Sequence, residues 1–149
     1  MSAPPPPGAP PRRYDPRGEH CLADLWGVAP ALLRDPAPLM AHLDEALRAA
    51  GLRVLSARCE RFEGEGAGFT ALFALAESHA SAHTYPERGY VALDLFTCGA
   101  HPARPVLEVA CARLAPEEVR VWVVARGGWG ERSASPLPFK PSSLPSAPL

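Results

Sequence analysis

Proline restricts this chain more than any other residue, because it fixes φ and has no N–H to give to a helix or a ladder. Of its 19 prolines, seven fall in residues 1–18 and five in residues 131–149, leaving seven for the 112 residues between. The two ends therefore read as disordered, Pro-rich extensions, residues 1–17 and 131–149, flanking one folded domain over residues 18–130. With 47% hydrophobic residues in 149, there is material for one core and too little for two.

Within the domain, apolar periodicity predicts the order β-α-β-β-β-β-α-β. The alternation of "HCLADLWGV" suggests a first strand over His20–Val28. Next, "DPAPLMAHLDEALRAAG" offers Asp35 as N-cap, Pro36 at the first helical position, Leu39, Leu43 and Leu47 on one face, and Gly51 as a stop. Strands are expected near Leu52–Phe62, Phe69–Ala76, His79–Tyr85 and Tyr90–Cys98. A second helix over Ala103–Leu114 and a last strand over Glu118–Ala125 complete an α/β (α+β) two-layer sandwich, one antiparallel-rich sheet with helices packed on one face.

A net charge of −1 lacks the basic field that nucleic acid or an anionic membrane would need. The sequence has no apolar run of 18 residues and no signal-like N-terminus, so a cytoplasmic protein with a small-molecule partner is expected. Cys21, Cys59, Cys98 and Cys111 have no C-x-x-C spacing and are expected as thiols, with Cys21, Cys59 and Cys111 as small buried residues. The Gly-rich "FEGEGAGF" carries two glutamates that would repel a phosphate, so it reads as a loop between strands.

The chemistry is concentrated in "AESHASAHTYPE", residues 76–87. His79-x3-His83 with Cys98-x2-His101 has the composition of a zinc site, but four residues of extended strand span roughly 13 Å. Ligands that each sit ~2 Å from one ion cannot be that far apart, so no metal is expected. Ser78 lies near two histidines without the G-x-S-x-G elbow of a hydrolase. If "PERG" (residues 86–89) makes a hairpin turn, facing residues have numbers summing to 175: Tyr85 faces Tyr90, His83 faces Ala92, and Ser78 faces Thr97 with Cys98 one step away.

"AESHASAHTYPERGYVALDLFTCG" (residues 76–99) resembles the pyruvoyl-dependent S-adenosylmethionine decarboxylase proenzymes of bacteria and archaea, whose hallmark is E-S-H-x-S/T-x-H-T-W/Y-P-E followed by D-x-F-T-C-G. The likeness extends loosely through "GEHCLADLWG", "RF" and "GFT" upstream and to the last strand downstream. Where relatives carry an acidic residue before a final R-G, this chain has "VVARGG".

The resemblance implies self-cleavage between Glu77 and Ser78 into a β chain of residues 1–77 and an α chain of residues 78–149. Ser78 would become the pyruvoyl group that forms a Schiff base with substrate, a covalent cofactor needing neither metal nor pyridoxal phosphate. It further implies His83 as proton acceptor in processing, Cys98 as proton donor in decarboxylation, and Thr70 as support for processing. Phe62 would stack on adenine and Glu87 would hold ribose. The implied partners are S-adenosylmethionine and a second copy of the chain, giving a homodimer of αβ units with sites near its interface, in spermidine synthesis. Two alternatives stand beside this reading: a pyruvoyl-dependent arginine or ornithine decarboxylase, and an unprocessed regulatory partner. The strand reading adds a geometric demand. Five residues of straight strand put His83 roughly 16 Å from Ser78 and on the other face, so the chain must turn between them if His83 is the base.

Overall fold

The computed structural model describes residues 17–99 and 101–127, and the backbone of residues 137–139. Apart from Arg17 and residues 137–139, the two Pro-rich extensions lie outside the described residues.

Strand β1 (Gly18–Trp26) is followed by a five-residue helix α1 (Pro30–Arg34) and by α2 (Pro36–Ala49). Four strands come next: β2 (Val54–Arg61), β3 (Phe69–Leu75), β4 (Ser78–Tyr85) and β5 (Tyr90–Cys98). Helix α3 (Arg104–Leu114), β6 (Glu118–Arg126) and a three-residue strand β7 (Leu137–Phe139) end the described chain. All strands pair antiparallel, in the order β2-β3-β4-β5-β1-β6-β7.

The expected helices form for the expected reasons. Asp35 Oδ1 accepts from Ala37 N–H at 3.1 Å, with Pro36 opening α2. At the other end Leu52 N–H reaches Leu47 O and Gly51 N–H reaches Arg48 O, both at 3.0 Å, which closes the helix in a Schellman turn. Leu39, Leu43, Ala46 and Leu47 of α2 and Val106, Leu107 and Ala110 of α3 are buried against Phe69, Phe73, Leu25, Leu93 and Leu95 of the sheet. Each large side chain so buried contributes about 1.5–3 kcal/mol.

Every core residue of the sheet lies on the helical face. The other face has no helix over it and carries Leu22, Trp26, Leu72 and Tyr85, each more than a third exposed, beside His20, His79 and Asp94. Edge strand β2 is exposed along most of its length and carries the Arg58–Glu60 ion pair, charges that discourage further pairing. Among the described residues no helix is long and apolar enough to cross a membrane.

The β4–β5 hairpin has the register read from its turn. Tyr85 pairs with Tyr90, His83 with Ala92 and His79 with Phe96. Residues Pro86–Arg88 form a 3-10 turn closed by Gly89 at φ 57°, where a Cβ would come within 2.9 Å of Val28 O.

Candidate active site

Strands β3 and β4 are joined by two residues, Ala76 and Glu77, with Leu75 and Ser78 as the closing pair. Glu77 has φ 76°, a region that favours glycine and costs a side-chain-bearing residue about 1–3 kcal/mol. Such a turn ordinarily holds Gly or Asn at its second central position. The peptide bond between Glu77 and Ser78 thus begins at a strained residue.

Two further groups converge there. The Cys98 thiol donates to the Glu77 carbonyl oxygen at 2.9 Å. Ser78 Oγ is buried and, among the described residues, is the only buried side-chain polar atom without a hydrogen-bond partner. An orphaned buried hydroxyl costs about 1–3 kcal/mol and points to a chemical use. The arrangement suits an acyl shift, with a nucleophile beside a carbonyl whose oxygen already accepts from a donor.

The remaining predicted residues gather at the opposite end of the hairpin. His83 Nδ1 lies 2.9 Å from Thr70 Oγ1, across the β3–β4 pair that matches Thr70 to His83. Both line a cavity of about 220 Å³ with Phe62, Tyr85 and the loop of Gly66 and Gly68. Phe62 is 55% exposed, leaving its ring open to a ligand. Glu87 stands at the rim, its carboxylate so close to Gly66 that a Cβ there would come within 2.7 Å of it. Buried Thr84 fixes this end, accepting from Phe69 N–H at 2.9 Å and donating to Leu33 O at 2.8 Å.

Strand β4 runs without a break from Ser78 to Tyr85, so the turn that would bring His83 back to Ser78 in the same chain is not present. The alternation of core-facing Ala80, Ala82 and Thr84 holds the strand straight. One copy of the chain therefore carries the predicted residues in two separate groups: Glu77, Ser78 and Cys98 at one end, and Phe62, Thr70, His83 and Glu87 at the other.

The histidines of the zinc reading do not converge. His83 bonds Thr70, and His101 Nδ1 lies 3.3 Å from Ala50 O beside the helices. All four cysteines are reduced. Burial pushes the thiols of Cys21 and Cys111 up to about 12 and about 11. Cys59, expected in the core, is only half-buried on edge strand β2, because that strand has a neighbour on one side only.

A cluster absent from the sequence reading lies on the open face. His20 Nε2 and His79 Nε2 both approach Asp94 Oδ1, at 2.6 and 3.2 Å. The hairpin register alone puts His79 opposite Phe96 and two residues from Asp94; His20 joins them through the β1–β5 pairing, which no local pattern announces.

The model of the S-adenosylmethionine decarboxylase family matches residues 19–127, which include both groups of predicted residues. The chain belongs to that family. Proteins named S-adenosylmethionine decarboxylase proenzyme are 48% identical to it over 86 residues in Brevibacillus brevis, covering 58% of this chain and 63% of that one, and 36% identical over 115 residues in Pyrobaculum aerophilum, covering 76% and 91%. The crystal structure of the adenosylmethionine decarboxylase of Aquifex aeolicus superposes with a TM-score of 0.70 at 30% identity, covering 81% of this chain and 99% of that one. The S-adenosylmethionine decarboxylase fold is thus shared over almost the whole of that structure, and the two Pro-rich extensions lie beyond the matched segment.

Proposed function

We propose that the chain is a proenzyme that cuts itself between Glu77 and Ser78 and then decarboxylates S-adenosylmethionine. The observation that carries this reading is the Cys98 thiol on the Glu77 carbonyl, 2.9 Å away, beside the unpartnered Ser78 hydroxyl. Ser78 Oγ bonds to the Glu77 carbonyl carbon, the C–N bond breaks, and the amide nitrogen takes the hydroxyl proton, giving an ester. The Cys98 S–H stabilises the oxygen on which charge develops. Removal of the Ser78 α-proton then eliminates the Glu77 carboxylate, and hydrolysis with loss of ammonia leaves a pyruvoyl group at residue 78.

That group supplies an electron sink for the pair released as CO2 departs, without metal or pyridoxal phosphate. Cys98 then delivers a proton to the carbon that lost CO2. Phe62 offers an aromatic face to adenine and Glu87 a carboxylate to the ribose hydroxyls. The product would serve as aminopropyl donor in spermidine synthesis, in the cytoplasm.

His83 is the base in this reading, and the straight β4 strand supports its acting in trans. Two copies packed through their open faces, head to tail, set the Thr70–His83 cavity of one over the Ser78–Cys98 end of the other. The exposed Leu22, Trp26 and Leu72 suit such a covering.

Mixing two uncut variants tests the reading. Ser78→Ala and His83→Ala proteins should each stay whole or stall at the ester. Co-folded, they should restore cleavage in the His83→Ala chain alone, seen as two masses split after Glu77 with the new chain blocked to Edman sequencing. No cleavage in the mixture would overturn action in trans. Release of labelled CO2 from arginine or ornithine but not from S-adenosylmethionine would overturn the substrate. A wild-type chain that stays whole would favour a regulatory partner.

A further inference from the structure

The cluster on the open face has a definite hydrogen-bond sense. Arg126 Nη1 lies 3.2 Å from His20 Nδ1, and a guanidinium can only donate. His20 Nδ1 is therefore a lone pair, and its Nε2–H donates to Asp94 Oδ1 at 2.6 Å. The same carboxylate oxygen accepts from His79 Nε2 at 3.2 Å, which fixes a proton there and leaves His79 Nδ1 as the nitrogen free to exchange one. Phe96 supports the arrangement, with the rings of His20 and His79 at 5.5 and 5.7 Å and the Arg126 guanidinium 4.6 Å above it. The two imidazoles and carboxylate could be read as metal ligands, but Arg126 holds His20 in the tautomer whose Nε2 has no lone pair to give.

His79 also has a defined place relative to the proposed proton donor. It pairs with Phe96, and Cys98 is two residues further along β5 on the same face. Such diagonal neighbours lie about 7–8 Å apart, a span that one water can bridge between an imidazole and a thiol. Within one copy His79 is 50% exposed, Asp94 30% and His20 19%, so His79 is the outermost of the three and His20 the sheltered anchor. The titratable and charged groups around His79 are Asp94 from β5, which it bonds, Cys98 on the other diagonal of the same pair, His20 from β1 and Arg126 from β6; β3 offers only Ala74 and Leu72.

We propose that His79, oriented by Asp94 and through it by His20 and Arg126, returns a proton to Cys98 after each turnover. The inference rests on Cys98 being the proton donor, as argued above. Decarboxylation consumes one proton: the Cys98 S–H is given to carbon, leaving a thiolate. The His79 Nδ1–H of the imidazolium then passes to sulfur, and the neutral imidazole regains a proton from water. Asp94 stabilises the imidazolium and keeps Nδ1 turned away from itself.

Selectively labelled full-length Ser78→Ala protein tests the coupling without turnover. The Cys98 Cβ resonance should follow two pH-dependent steps, one coinciding with the titration of the His79 ring in the same sample. His79→Gln should remove that shared step, and Asp94→Asn should move both readings together. In the processed enzyme, His79→Gln should lower kcat about a hundredfold with KM little changed. Added imidazole should restore part of the loss, which a purely structural role would not allow. A Cys98 resonance indifferent to His79, in Ser78→Ala or in the Ser78→Ala/Asp94→Asn double variant, would overturn the proposal. A wild-type chain that is never cut overturns the proenzyme reading, whereas a cut and active enzyme without the coupling overturns this inference alone.

Discussion

Glu77 is the residue whose backbone the proposed self-processing would act on. Its φ of 76° puts strain beside the bond that the proposed mechanism would break, and the proposed acyl shift would relieve it. Glu77→Gly should therefore slow cleavage by about tenfold, since each 1.36 kcal/mol changes a rate by that factor; a timed series of mass spectra reads it. Cys98→Ser should separate two roles of one side chain. A hydroxyl still donates to the Glu77 carbonyl, so the variant should cut itself at near the normal rate. It is a far weaker acid than a thiol, so CO2 release from the cut protein should fall by a hundredfold or more. Cys98→Ala should slow both steps. The residue types at this site were plain in "ESH" and "TCG". Nothing in those letters says that a glutamate occupies a conformation normally left to glycine, because that is imposed by the pairing of Leu75 with Ser78 on either side.

Among the elements, local patterns were legible and long-range pairings were not. The Asp35 cap, the Gly51 stop and the "PERG" register follow from neighbours in sequence, and each appears where the pattern puts it. The first strand begins two residues earlier than its alternation suggests, and α1 is too short to leave a period. That β1 lies between β5 and β6 depends on contacts some 70 to 100 residues apart, for which the sequence has no local sign. The aromatic ladder it completes is equally hidden. Trp26 stacks on Tyr90 at 4.2 Å and Tyr90 on Tyr85 at 5.4 Å, while the Tyr90 hydroxyl donates to Asp24 at 2.7 Å. Burial first, and the Asp24 hydrogen bond second, push the Tyr90 phenol up from 10.0 to about 12. The fold thus holds this proton more tightly than the unfolded chain does. Its contribution is fully present below pH 10 and is lost as pH rises towards 12. Denaturant titrations of wild type and Tyr90→Phe should show wild type losing stability faster over that interval, with the difference in phenolate absorbance appearing there too.

At the scale of the whole molecule, one chain with these two groups of residues at opposite ends of β4 is incomplete for the proposed chemistry. Leu72 is 47% exposed in the open face, one strand from the His20–Asp94–His79 cluster. Leu72→Glu should leave the helical core untouched and yield a folded monomer by sedimentation that cuts itself at least tenfold more slowly; a monomer that still cuts at the normal rate would refute sharing between copies.

The strand order also decides what cutting does to the molecule. A break after residue 77 assigns β1, β2 and β3 to one polypeptide and β4, β5 and β6 to the other, in a sheet ordered β2-β3-β4-β5-β1-β6. The N-terminal piece is threaded through its counterpart: β1 is bonded on one side to β5 and on the other to β6. The two products are therefore interlaced like the fingers of clasped hands, and neither can leave without opening three ladders at once. The proposed maturation would turn one chain into two while leaving a single folding unit, and a cut molecule once unfolded would have lost the short tether that brought β3 and β4 together.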